Sequence, residues 1–423
     1  MQQRFYVETL GCPKNDVDSD KIVGTLLADG LIATDDPSLA DLVVVNTCAF
    51  IEDARKESID TVLALGAQRK DGARLVVTGC MAERYGAELA EALPEVDQVA
   101  GFGVPVQMGR KPISVSAAPI PSFDLLNLPR PKSTAPWAYV KIAEGCDRNC
   151  GFCAIPSFRG PQRSRDVSSI LTEVEQLEVR EIVLIAQDLA SYGKDRPDEL
   201  GAGSIVQLVR DVAAMADWVR LLYLYPSDLS DELIDAILDT GVPYFDLSLQ
   251  HASKEHLRRM KRWGDGPRFL ERIARIRTLS PDAAFRSNFI VGYPGETEED
   301  HDQLLSFVRD AQLDWCGFFA FSPEDGTHAL TLPNRVEEGL MNERLAELRE
   351  LQDNISAERR DLLLGETIEV LVDEPGIARS FREAPEIDGV VQVPEHLEVG
   401  RFHTVVVDQV FGPDLIAVEA PGK

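Results

Sequence analysis

The stretch WAYVKIAEGCDRNCGFC, residues 137–153, decides the fold. Its first seven residues are an apolar run of strand length, rich in aromatic and branched side chains, and read as a buried strand. Three cysteines follow at once, Cys146, Cys150 and Cys153, on the loop that leaves the strand. Similar runs recur at EIVLIA (181–186), VRLLYLY (219–225), YFDLSLQ (244–250), AFRSNFIVG (284–292) and WCGFFAF (315–321). Helical stretches separate them, and a long polar helix is predicted over about 337–363. Six strand–helix repeats predict a partial (βα)6 barrel of the TIM type, short of the eight repeats of the full form. Chemistry in such barrels sits at the carboxyl ends of the strands, which is where the cysteine loop falls.

Three thiolates on one short loop can each hold one iron of a cubane iron–sulfur cluster. The fourth iron then has no protein ligand and can bind substrate or cofactor, as the open position of a catalytic metal site does. A zinc site completed by a remote histidine, or buried structural thiols, is the alternative reading. Zinc sites usually pair two two-cysteine knuckles, and a second knuckle is absent.

Working outward toward the N-terminus, RFYVETL (4–10), DLVVVNT (41–47) and RLVVTG (74–79) read as buried strands. Helical periodicity follows each, near 15–28, 50–65 and 81–92. That rhythm predicts a Rossmann-like α/β domain with a parallel sheet. Cys12, Cys48 and Cys80 each directly follow one of these strands, which puts all three at the carboxyl edge of one sheet, where open α/β sheets bind ligands. Converging there, they could hold a second cluster. The alternative is ordinary core cysteine, the reading adopted for Cys316 inside WCGFFAF.

Seven prolines between 105 and 136 read as an extended linker. After Gly365 the texture turns to short strands with Gly, Pro and Asp between them, which predicts a small antiparallel β-barrel or a sandwich. The expected layout is therefore 1–104, a linker over 105–134, a barrel over 135–360 and a β domain over 361–423. With 423 residues, several cores are needed. No uncharged apolar run approaches a membrane span and the start lacks the charged and apolar regions of a signal peptide, so membrane and secreted readings are excluded and a cytoplasmic protein is expected. No nucleophile elbow, P-loop or H-E-x-x-H occurs, and none of the six histidines has a spacing that demands a ligand role. The net charge is −28, and residues 366–423 carry twelve acids against four bases. Such a chain repels phosphate backbones and suits a basic protein partner.

The spacing Cys146-x3-Cys150-x2-Cys153 resembles the signature of the radical S-adenosylmethionine (SAM) enzymes. In that family the open iron binds the amino and carboxylate groups of SAM, and reductive cleavage yields a 5′-deoxyadenosyl radical. Ile290-Val-Gly292-Tyr-Pro-Gly295-Glu296 looks like the family's segment lining the adenine site, and Gly292 and Gly295 would let the backbone approach a ligand closely. The resemblance further implies SAM contacts from Gln187 and Asp188 at the end of the second barrel strand, from Arg286 toward a carboxylate, and from Phe152 against the adenine. An ordinary turn at 292–295, a surface ion pair for Arg286 and simple shielding of the cluster by Phe152 are the competing readings.

Taken with the N-terminal triad and the C-terminal β domain, the whole chain resembles the methylthiotransferase family. Two four-iron clusters, one per triad, a TRAM domain at 361–423 and a reductant such as flavodoxin or ferredoxin are what that implies. The implied reaction replaces an unactivated C–H bond by C–SCH3, one SAM supplying the methyl group and another the radical. One branch modifies an adenosine of tRNA; the other modifies an aspartate β-carbon of small-subunit ribosomal protein S twelve. Gly11-Cys12-Pro13-Lys14-Asn15 looks like the ribosomal-protein branch, although Asp16 stands where an apolar residue is more typical. Acids such as Glu383, Glu386, Asp388, Glu395 and Glu398 are expected to meet the basic substrate, and tRNA is not the expected partner. A non-catalytic iron–sulfur or sulfur carrier is the alternative from another class; it leaves 292–296 unexplained.

Overall fold

The computed structural model describes residues 2–108, 124–201 and 203–420. The first layer is a five-stranded parallel sheet in the order Ile32–Ala33, Arg4–Thr9, Leu42–Thr47, Arg74–Gly79, Gln98–Ala100. Its central strand is buried along its whole length, as a parallel strand covered on both faces must be. Helices Pro13–Ala28, Glu52–Gln68 and Cys80–Ala92 make the crossovers. Of the proline-rich stretch, residues 109–123 lie outside the described residues. Its two ends are not free linker: Val106 and Leu125 are buried against the core of the first sheet, and Lys21 donates to the Leu126 carbonyl.

The second unit is the open barrel. Strands Trp137–Lys141, Glu181–Ile185 and Trp218–Leu221 form one parallel set, and Tyr244–Gln250, Ala284–Val291 and Trp315–Ala320 another. A single parallel bridge, Leu224 to Leu247, joins the two sets. Alternate residues divide cleanly. Ala138, Val140, Ile182, Leu184, Phe285 and Phe289 pack outward under the helices, while Tyr139, Lys141, Glu181, Arg286 and Asn288 have the opposite parity and face the lumen. The polar helix spans Glu338–Asp361.

A closed five-stranded barrel ends the chain, built from Thr367–Glu374, Ile377–Arg379, Val391–Gln392, Phe402–Phe411 and Asp414–Glu419. Its pairings are antiparallel except for Val391–Gln392 against Leu415–Ile416. This unit plugs the amino-terminal end of the large barrel. Leu371, Ala384 and Phe402 pack on Trp137, Trp218 and Trp315, which begin three barrel strands. Polar contacts fix the plug: Tyr139 donates to the Pro385 carbonyl, Trp315 to the Arg382 carbonyl, and the buried Glu181 binds both Arg220 and Arg379.

That docking corrects the expectation for two of the recognition acids. Glu383 is wholly buried on Arg360 and Ser380, and Asp388 accepts from Tyr244 and Arg286. Both serve the seam between the barrels. Glu395 and Glu398 remain exposed.

Asp16 lies at the same seam, on the helix that leaves the first cysteine. Burial, then the facing Glu386, Asp20 and Asp18, push its carboxyl up to about 7. A carboxyl raised on folding takes up a proton in the native state. The penalty for its charge is therefore full above that value and is relieved as pH falls toward the unfolded carboxylate range. Asp16→Leu should raise the thermal midpoint at about pH 9 and do so much less at about pH 5, read by unfolding scans at both. Equal gains at the two values would exclude the carboxylate as the cause.

Candidate active site between two cysteine triads

The cysteine loop is shaped before any ligand enters it. Gly145 holds a positive φ of 79°, and a Cβ there would strike the Pro161 carbonyl. Gly151 donates to the Met260 carbonyl at 2.8 Å, and its missing side chain leaves room for the Tyr293 hydroxyl. Cys146 Sγ accepts from the Arg148 amide at 3.4 Å and Cys150 Sγ from Arg262 Nη1 at 3.3 Å. Burial pushes the Cys146 thiol up to about 11 and the Cys153 thiol to about 12.

The other three cysteines also converge. A Cβ on Gly11 would lie 3.0 Å from Cys48 Sγ, which puts the backbone beside Cys12 against the second cysteine. Asn15, one turn into the first helix, donates to the Leu10 and Thr47 carbonyls and lies 3.7 Å from Cys80 Sγ through its Oδ1. Burial raises the Cys48 thiol to about 12 and raises that of Cys80 as well. Thiols this protonated become thiolates at neutral pH only beside a strong cation such as a metal. Thiolates on one zinc at about 2.3 Å would sit about 3.8 Å apart. Among the described residues, one set of three metal-ligating side chains has all its donor atoms within 4.8 Å, and neither cysteine triad is that set. Neither triad is drawn together as one zinc would draw it, and three thiols are the donor type that an iron–sulfur cluster takes.

Arg159, six residues beyond Cys153, joins the two sites, and nothing in the sequence pointed to it. The short helix Ile155–Arg159 carries it from the cluster loop to the edge of the N-terminal sheet. There its guanidinium donates to Cys80 Sγ at 3.0 Å, Asn15 Oδ1 at 2.7 Å, Asp18 Oδ2 at 3.2 Å and Glu144 Oε1 at 3.0 Å, and it stacks on Phe102. Lys141 bonds to the same Asp18 and Glu144. Two cations and two carboxylates thus balance in a buried network. Arg55 and Arg84 pin the far side of the sheet edge to Glu324, which follows the sixth barrel strand. The carboxyl edge of the sheet therefore faces the carboxyl ends of the barrel strands.

The remaining residues expected at the site divide. Gln187 donates to Glu144 at 2.6 Å and keeps a buried, unbonded Oε1; Asp188 binds Arg148 and Ser191 and keeps an unbonded Oδ1. Phe152 packs partly buried on the barrel core. Arg286 meets carboxylates, but they are the protein's own Asp246 and Asp388 near the plugged end. Gly292 and Gly295 hold positive φ of 84° and 83°. The atoms a side chain would strike there are those of Met341 and Arg259. Behind this turn Glu296 accepts from the Gly292 amide at 2.5 Å and from Arg344, and its donor atoms lie within 4.8 Å of those of buried His251 and His256. Cys316 is part-buried against the barrel core.

Comparison with known proteins agrees with this architecture. Residues 140–308 match the Radical SAM superfamily, residues 4–101 the Uncharacterized protein family UPF0004, and residues 364–419 the TRAM domain. The radical SAM methyltransferase TsrM of Kitasatospora setae, with tryptophan and a SAM analogue bound, is similar in fold at a TM-score of 0.50 and 14% identity, over 84% of this chain and 89% of that one. Fold and site thus define a radical SAM protein carrying an iron–sulfur cluster and SAM.

Full-length relatives narrow the class. The ribosomal protein uS12 methylthiotransferase RimO of Moorella thermoacetica is 42% identical over 96% of this chain and 97% of its own. The RimO proteins of Synechocystis sp. and Geobacter sulfurreducens are 40% and 41% identical, over 98% and 93% of this chain and 97% and 93% of theirs. The chain belongs to the RimO family of uS12 methylthiotransferases. No helix among the described residues is long and apolar enough to cross a membrane.

Proposed function

We infer that this protein is a radical SAM methylthiotransferase that places a methylthio group on the β-carbon of an aspartate of ribosomal protein uS12. What carries the reading is the full-length similarity to RimO proteins together with Arg159, which leads from the loop of Cys146, Cys150 and Cys153 to the sulfur of Cys80. Cys146, Cys150 and Cys153 hold the cluster that engages SAM, and Cys12, Cys48 and Cys80 hold a second one. Bound there, a cluster with an open iron supplies the one-electron reduction of SAM. The chain's own residues do the rest. Gln187 and Asp188 present unbonded acceptors at the end of the second strand. Arg159 and Lys141 fix the approach of the N-terminal sheet, and the C-terminal barrel closes the far end of the lumen, so substrate enters between the triads. A radical and a sulfur atom must meet one carbon before side reactions intervene, which is what two sites on one enclosed mouth allow. The reductant is a flavodoxin- or ferredoxin-like protein, and the reaction takes place in the cytoplasm.

A test offers reduced holoenzyme SAM and either uS12 or tRNA under anaerobic conditions, with products read by mass spectrometry. Gain of a methylthio group on uS12 alone is expected. Modification of tRNA alone would move the protein to the adenosine branch, and SAM cleavage without transfer to either would favour a different substrate.

A further inference from the structure

Among the described residues the buried basic side chains are nearly all matched. Lys21 and Arg165 bind Glu173, Lys141 and Arg159 bind Asp18 and Glu144, Arg220 and Arg379 bind Glu181, Arg344 binds Glu296 and Arg360 binds Glu383. Lys14 is the exception. It is 8% exposed, and among the described residues its ammonium has neither a carboxylate within ion-pair distance nor a hydrogen-bond acceptor. Its contact is the face of Tyr223, with Nζ 3.0 Å from the ring centroid.

The tyrosine is held in place for this. It follows the third barrel strand with a positive φ of 65°, and its amide donates to Asp246 Oδ2 at 2.8 Å. Lys14 itself sits in the first turn of the helix that starts after Cys12, and its contact with Tyr223 sets the ammonium between that cysteine and the end of the third barrel strand. The strongest charge on it is that of Cys12, with Asp246 and Glu144 beyond ion-pair distance, so the ammonium has no carboxylate partner of its own. A ring face alone is a weak counterpart for an ammonium, and a carboxylate entering the lumen would supply the missing partner.

We propose that the Lys14 ammonium, cradled by Tyr223, is the subsite for the side-chain carboxylate of the substrate, and that it selects aspartate over its neutral isostere. The inference rests on the methylthiotransferase reading above and deepens it. A carboxylate on Lys14 holds its own β-carbon beside the N-terminal triad, where sulfur has to be delivered. An asparagine in the same place leaves the cation unmatched.

The experiment measures anaerobic binding of holoenzyme with SAM to uS12 carrying either aspartate or asparagine at the modified position. A charge-assisted pair predicts about ten- to hundredfold tighter binding of the aspartate form. In Lys14→Met, which keeps a long side chain over Tyr223, that ratio should collapse toward one by weakening the aspartate form, and Lys14→Arg should restore part of it. Iron content reports whether each variant keeps its clusters. The ratio in the unaltered enzyme needs no variant, so a ratio near one overturns the proposal even if Lys14→Met fails to fold. A ratio that survives in iron-replete Lys14→Met overturns it too. Loss of iron from Lys14→Met with an unchanged ratio would assign the lysine to the cluster instead. Absence of methylthiolated uS12 with the unaltered enzyme would remove the underlying reading, a result separable from all of these.

Discussion

Replacing Cys146, Cys150 and Cys153 together by alanine is expected to reduce SAM cleavage to background and iron to about half, since each triad supports one cluster. The loop carrying them is fixed by the protein, through Gly145, Gly151 and the arginine contact to Cys150. Loss of the sulfurs therefore removes the ligands without unravelling the barrel. The matching triple variant at Cys12, Cys48 and Cys80 should also lose half the iron, yet keep forming 5′-deoxyadenosine while making no methylthiolated product. Iron analysis and product quantification on both variants separate the two sites. If the N-terminal variant keeps all its iron, the convergence of its three cysteines is packing and not ligation. If it also loses SAM cleavage, the two sites are not functionally distinct.

The six barrel strands were legible because each buries one face under helices and leaves a long run of branched and aromatic residues. Short edge strands such as Ile32–Ala33 and Gln98–Ala100 leave no such run. The three scattered cysteines were legible from position alone, since a residue directly after a parallel strand falls on the ligand-binding edge. What could not be read was how separate units dock. Glu383 and Asp388 look like surface acids in a polar β segment, and only the seam with the barrel turns them into buried partners of Arg360 and Arg286. Gly292 and Gly295 signal a turn, but the sequence does not say whether a ligand or Met341 and Arg259 stand opposite. Histidines 251 and 256 have unremarkable spacing and meet Glu296 only through the fold.

Arg159 is the sharpest case of information held in docking, and Arg159→Met should have an effect second only to loss of the cysteines. The guanidinium balances Asp18 and Glu144 jointly with Lys141. Without it, one carboxylate is left buried and uncompensated, a loss of about 3–5 kcal/mol at the join between the sheet and the barrel. Cys80 also loses the cationic donor at 3.0 Å that favours its thiolate. Because the arginine is anchored six residues past Cys153, the same change loosens the placement of one triad against the other. A displacement of about 1 Å between reacting groups can cost about a hundredfold in rate. The variant should therefore continue to cleave SAM while methylthiolated uS12 falls by about a hundredfold or more. Arg159→Lys keeps the charge but not the fork that reaches Cys80, Asn15 and the two carboxylates at once, so it should regain stability more than product. A double-mutant cycle with Asp18→Asn separates the contributions, because relieving the orphaned carboxylate should recover stability without restoring transfer. Should Arg159→Met lose SAM cleavage and product in equal proportion, the arginine holds up the barrel rather than setting the distance between the two sites.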